Sequence, residues 1–172
     1  LSQDCHGVCN GNADFDVCGV CEGGETDPDN CVLEGYSLSF GTVDLAGGVL
    51  DIIMNNEGPV SGFQFNISGL TVTGASGGSA SIENGFTVSS AGSTVIGFSL
   101  TGASVNPANG VLTNITFTDP GEELCITDAI LSTPAGGGVD GLEIGDCFNG
   151  FGCMDMGACN YDENAIEDDG SC

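Results

Sequence analysis

The sequence predicts an all-β protein built around an antiparallel sandwich, on three observations. Apolar and polar residues alternate in nine short runs, which places one side of each run on a core and the other in water. Glycine, proline and asparagine pairs that favour tight turns separate the runs. Finally, no window combines apolar residues at i, i+3, i+4 and i+7 with helix caps.

The runs follow one another in a regular order. Tyr36-x-Leu38-x-Phe40 is followed by a turn signal at Gly47-Gly48, then by Leu50-x-Ile52-x-Met54 and a second signal at Gly58-Pro59. Phe63-x-Phe65-x-Ile67 and Leu70-x-Val72 come next, ending at Gly77-Gly78. Asn84-Gly85 precedes Phe86-x-Val88, and Ile96-x-Phe98-x-Leu100 lies beyond it. Asn109-Gly110 is read as a turn leading into Val111-x-Thr113-x-Ile115-x-Phe117. Asp119-Pro120-Gly121 leads to Leu124-x-Ile126, and Gly136-Gly137-Gly138 to Leu142-x-Ile144. Short strands at this spacing pack as two antiparallel sheets.

Charge excludes several functions. The 172 residues include 25 Asp and Glu, one His and no Lys or Arg, a formal net charge of −25. Nothing in the chain can neutralise phosphates, so nucleic-acid binding is excluded, and so is attraction to an anionic membrane surface. Schiff-base chemistry and arginine clamps on carboxylates are equally out of reach, as are lysine-dependent isopeptide cross-links. The longest apolar stretches, such as Val49-Leu50 and Ile52-Ile53-Met54, fall far short of the roughly 20 residues a spanning helix needs, so no membrane insertion is expected. The chain opens at Leu1 without a charged and apolar leader, as expected of a mature product or a segment of something longer.

Cysteine divides the chain into three parts. Cys5, Cys9, Cys18, Cys21 and Cys31 lie in a head (1–32), Cys125 and Cys147 in a body (33–147), and Cys153, Cys159 and Cys172 in a tail (148–172). This density points to disulfides and an oxidising, extracellular setting, secreted or at a cell surface. The head and tail hold 13 of the 25 acids and are too short to bury a useful core, so staples or metals must shape these loop-rich segments. Cys125 and Cys147 bracket the last two runs and are expected to pair, a loop closure that contributes about 3 kcal/mol.

Three stretches resemble known families. Gly48-Val-Leu-Asp-Ile52, Pro59-Val-Ser-Gly-Phe-Gln-Phe-Asn-Ile67 and Asn109-Gly-Val-Leu-Thr-Asn-Ile-Thr-Phe117 make the body, from about Tyr36 to Cys147, similar to cohesins. That resemblance implies a jelly-roll sandwich related to carbohydrate-binding modules. Cohesins of cellulosomes dock a calcium-loaded dockerin; no stretch here matches a dockerin-reading surface, so that role is not carried over. The head, from Asp4 to Cys21, resembles a Cys/Asp repeat of very large secreted bacterial surface proteins. The tail, from Gly152 to Cys172, resembles another such repeat, and both are similar to thrombospondin type 3 calcium repeats.

Calcium is the expected cofactor. Asn160-x-Asp162-x-Asn164, followed by Asp168 and Asp169 and preceded by Asp155, spaces oxygen ligands like the start of an EF-hand loop. The glycine at position 6 and the bidentate acid at position 12 are missing, so this is not an EF-hand. In the head, Asn10, Asn12, Asp14 and Asp16 alternate similarly, and Asp27 and Asp29 add an acidic turn. Acids this dense repel one another unless cations neutralise them, and the chain supplies none; the alternative is solvated turns with loosely held ions. Zinc on Cys5, Cys9, Cys18 and Cys21, with His6 nearby, is the weaker metal reading, because the setting favours disulfides.

Catalysis is not expected. His6 is the sole imidazole, which leaves no Ser–His–Asp or Cys–His arrangement to build with the body. A pair of carboxylates could serve glycoside hydrolysis, but no Trp and two Tyr leave little platform for stacking a sugar. Two sequons, Asn66-Ile-Ser68 and Asn114-Ile-Thr116, stand on the polar parity of their runs and are expected to face solvent, where a covalent glycan can sit.

Head and tail each hold an odd number of cysteines, so one in each is expected to seek a partner beyond its own segment. With a sandwich between them, the economical pairing joins the tail of one unit to the head of the next, and contacts of that kind build a filament. The function expected is a non-enzymatic structural subunit of an extracellular fibre or surface assembly. Calcium and disulfides would join its units head-to-tail, as a homopolymer or a tandem array. The alternative is a carbohydrate- or protein-binding module of a large cell-surface adhesin, recognisable by one exposed apolar or aromatic patch.

Overall fold

The computed structural model describes residues 12–14, 35–121, 123–162, 165, 167–168 and 170–172. The chain forms two compact units, one spanning Leu33–Phe148 and the other made of Leu1–Val32 together with Asn149–Cys172.

The first unit is the expected sandwich. Its strands are β1 (Tyr36–Asp44), β2 (Val49–Asn56), β3 (Gly62–Ser68), β4 (Thr71–Ser76) and β5 (Thr87–Ala91), followed by β6 (Thr94–Phe98), β7 (Ala108–Thr118), β8 (Glu123–Ser132), β9 (Leu142–Ile144) and β10 (Phe148–Asn149). One sheet has the order β4-β7-β2-β1-β9 and the other β10-β8-β3-β6-β5. Among the described residues the only helical element is a single 3-10 turn at Ile82–Asn84. Each of the nine runs read from the sequence overlaps a strand, with Leu70, Phe86 and Leu100 just outside β4, β5 and β6.

Two features differ from the sequence reading. Asn109-Gly110 is not a turn: both residues lie inside β7, opposite Asn55 and Met54 of β2. Ladder pairing along β2 overrides the local preference of an Asn-Gly pair, a tertiary effect that turn chemistry cannot register. The sandwich is also not wholly antiparallel, because β9 pairs parallel to β1, with Tyr36, Ser37 and Leu38 opposite Leu142, Glu143 and Ile144.

The inward parity of each strand builds one core. Leu38, Leu50, Ile52, Met54, Leu112, Ile115 and Phe117 from the first sheet meet Phe63, Phe65, Ile67, Val95, Leu124, Ile126 and Leu131 from the second, all buried. Phe63 and Phe65 stack with ring centroids 5.9 Å apart. Each such side chain stabilises the fold by about 1.5–3 kcal/mol relative to exposure. Asn56 is a polar residue inside this core at 1% exposure. It donates to the carbonyls of Gly58 (2.9 Å) and Asn106 (3.0 Å) and accepts from the Ala108 amide (3.3 Å), tying two loops together. Cys125 and Cys147 pair as expected, with Cα atoms 4.4 Å apart.

In the second unit, β11 (Phe151–Gly152) pairs parallel with β12 (Glu167–Asp168), and Cys153 bridges in parallel to Tyr161. Cys153 is buried and bonded to Cys172, with Cα atoms 5.0 Å apart. Among the described residues no helix is long and apolar enough to cross a membrane.

Candidate docking face

The two sheets carry different outer surfaces. Outside β2 and β7 the surface is mixed: Asn114 donates to Asp51 and the hydroxyls of Thr73 and Thr116 share a hydrogen bond of 3.1 Å, while Val49 is 43% exposed. Outside β6, β3 and β8 it is apolar at its centre. Ile96 is 39% exposed, Phe98 36% and Ile130 53%, and Leu100, just beyond β6, is 86% exposed.

Register brings these residues together. Gln64 of β3 stands between Ile96 of β6 and Ile130 of β8, because it pairs directly with both. Phe98 sits in the adjacent row, opposite Gly62 on one side and Thr87 on the other. Cross-strand neighbours are about 5 Å apart and same-face neighbours along a strand about 7 Å, so Ile96 and Phe98 are adjacent and Ile130 stands across Gln64 from them on the same face.

The alternation Ile96-x-Phe98-x-Leu100 therefore marks the solvent side of its strand. Val95 and Gly97 face inward instead, opposite Phe65 and Phe63. A Cβ on Gly97 would stand 2.2 Å from Cε1 and Cζ of Phe63, so the aromatic ring fills the space that an inward side chain would need. Alternation alone does not reveal which parity is buried; a glycine between two apolar residues was the available signal.

A carboxylate borders the patch. β8 carries a bulge in which Asp128 and Ala129 together oppose Phe65, and Asp128 takes a left-handed conformation (φ 50°). Its Oδ2 accepts from Asn66 Nδ2 at 2.8 Å, while Asn66 Oδ1 accepts from Thr94 Oγ1 at 2.6 Å. The sequon residue Asn66 thus lies on the outer parity as expected, half-buried and hydrogen-bonded at both amide atoms. Asn114 is exposed on the opposite sheet.

The expected calcium ligands are only partly within the described residues. Asn10, Asp16, Asp27, Asp29, Asn164 and Asp169 lie outside them, as do Cys5, Cys9, Cys18, Cys21 and Cys31. Asn12, Asp14, Asp155 and Asp168 are exposed, and Asn160 and Asp162 half-buried. Asp155 and Asp168 act as turn acceptors, for the amides of Gly157 (2.8 Å) and Gly170 (2.9 Å), and Asn160 donates to the Ser171 carbonyl (3.0 Å). Among the described residues, the one group of three acidic or thiol donors within 4.8 Å of one another is Glu123 with Cys125 and Cys147, and the disulfide leaves those sulfurs no thiolate to offer.

Among the described residues Cys125 pairs with Cys147 and Cys153 with Cys172, Cys159 is also disulfide-bonded, and no thiol is free. The head cysteines of the parity expectation lie outside the described residues.

A groove of about 530 Å³ opens beside β4 and β5, lined by Ala75, Ala80, Ile82, Phe86 and Val88 among others. Phe86 is buried there, so the groove offers no aromatic ring on which a sugar could stack.

Cohesin modules are among the solved structures similar to this chain. A non-cellulosomal cohesin from the hyperthermophilic archaeon Archaeoglobus fulgidus matches with a TM-score of 0.50 at 14% identity, over 67% of this chain and 91% of that one. The sandwich is cohesin-like. A CaDoc0917–CaCohA2 complex crystallised at pH 5.5 matches with a TM-score of 0.47 at 17% identity, over 64% of this chain and 94% of that one. A cohesin module from a Clostridium perfringens family 33 glycoside hydrolase matches with a TM-score of 0.39 at 17% identity, over 66% and 88%. No protein-family model and no curated protein matches the chain.

Proposed function

We propose that this chain is an extracellular, non-enzymatic protein-docking module whose β6–β3–β8 face receives a partner protein. One observation carries the reading: Ile96, Phe98 and Ile130 stand exposed on one face of the β10-β8-β3-β6-β5 sheet, on either side of Gln64. An exposed apolar patch rimmed by polar groups marks an interaction surface, and a central apolar cluster of this kind supplies most of the energy in protein interfaces. The cohesin-like sandwich supports the same reading.

The expectation of a structural fibre subunit rested on unpaired thiols reaching the next unit. Among the described residues no thiol is free, and the cohesin-like sandwich favours a docking module of a larger surface protein or assembly. The disulfides support an extracellular setting.

Calcium belongs to this proposal as the counter-charge of the acid-rich ends. Asn12, Asp14, Asp155, Asn160, Asp162 and Asp168 supply the hard oxygen ligands it takes. Calorimetric titration of the intact chain checks this: saturable heat with calcium, and a chelator-sensitive melting temperature, are expected.

Capture from the producing organism tests the docking role. The immobilised chain should retain a specific surface or secreted protein, Phe98→Ser and Ile130→Asp should lose it, and Asp51→Asn on the opposite sheet should keep it. Retention by both face variants overturns the proposal.

A further inference from the structure

We infer that the partner of this face presents apolar side chains flanked by Lys or Arg, and is not a second copy of this chain. The inference rests on the docking reading and adds the partner's chemistry. Asp128 borders the patch two residues from Ile130, and the bulge fixes it there: its left-handed backbone and its hydrogen bond to Asn66 keep the carboxylate on the outer side of the sheet. Glu123 lies at the start of the same strand and is also exposed. The chain holds no Lys or Arg anywhere, so neither carboxylate has a cationic side chain to pair with at home.

An apolar partner surface closing over the patch takes water away from Asp128, and an unpaired carboxylate makes that costly. A cation on the partner turns the same contact into a charge-assisted hydrogen bond. A second copy brings the wrong sign, since it would set one chain of net charge −25 against another. Like charges across an interface oppose association and slow the encounter. The face therefore selects for a cationic rim and against itself.

The test uses the intact, isotope-labelled chain and two synthetic amphipathic helices with the same leucine face, one flanked by lysines and the other by glutamates. The lysine peptide is expected to shift the amide resonances of Ile96, Phe98, Asp128 and Ile130 and to bind at least tenfold more tightly than the glutamate peptide. Asp128→Asn should weaken it about threefold, the scale of one exposed ion pair. Raising salt from about 0.05 to 0.3 M should weaken it further, as screening shortens the reach of these charges. Equal binding of both peptides at this face overturns the charge inference and leaves docking intact. A lysine peptide that perturbs acids all over the chain while the face stays silent overturns it too. So does a calcium-free dimer that Ile130→Asp dissociates. A face marked by neither peptide, together with native capture that ignores Phe98→Ser, sinks the docking reading itself.

Discussion

The ring of Phe63 occupies the volume that a side chain on its cross-strand partner Gly97 would fill. This contact decides which way β6 faces. With Gly97 turned inward, Ile96 and Phe98 must turn outward, and the apolar patch follows from the packing of one aromatic ring.

Gly97→Ala should therefore be costly although it adds a single methyl group. Overpacking of this kind costs about 1–3 kcal/mol, which lowers the melting temperature by several degrees in a domain of this size. Ile96→Thr, on the opposite side of the strand, should stay within about 0.5 kcal/mol. Thermal unfolding of the two variants checks the pair, and equal effects would contradict the assignment of parity.

Asn56 is a second point of sensitivity. Its side chain bonds to Gly58, Asn106 and Ala108 from a buried position, so Asn56→Ala leaves several polar backbone groups short of a partner. Stranding buried polar groups costs about 1–3 kcal/mol each. Urea unfolding should show a loss of about 2–3 kcal/mol with an unchanged denaturant slope.

The Cys125–Cys147 bond, with a sequence separation of 22, closes a loop that runs from within β8 through β9. Replacing both cysteines by alanine should cost about 3 kcal/mol, the loop-closure entropy returned to the unfolded chain. Because β9 holds to β1 through three residue pairs alone, amide exchange at Leu142–Ile144 should rise more than exchange in β2 or β7.

The two sequons should behave differently. A glycan on Asn66 would have to displace its bonds to Asp128 and Thr94 and would cover the docking face, whereas Asn114 lies on the opposite sheet. Peptide mass spectrometry of native material is expected to find Asn66 bare, with any N-linked sugar on Asn114. A glycan on Asn66 in docking-competent protein would contradict the account.

Much of the fold could be read from the sequence, because period-two alternation reports burial directly. Tyr36–Phe40 and Phe63–Ile67 became strands of the expected parity, and Cys125 met Cys147; in Val111–Phe117 the parity holds from Thr113 on, but a register shift against β2 buries Leu112 in place of Val111. The misreadings share one cause, which is that pairing across strands is not local. Asn109-Gly110 looks like a turn until β2 lies alongside it. Ile96, Phe98 and Leu100 look like core until Phe63 claims the space over Gly97. The docking face was hidden for the same reason: apolar residues bound for solvent and apolar residues bound for the core have the same spacing.

Hydrogen–deuterium exchange on native, partner-bound material compared with the isolated chain tests the central claim most directly. Protection is expected at residues 94–98 and 127–132 on the β6–β3–β8 face, with none gained at 49–51 and 114–116 on the opposite sheet. Protection confined to the opposite sheet, or none on β6 and β8, would contradict it.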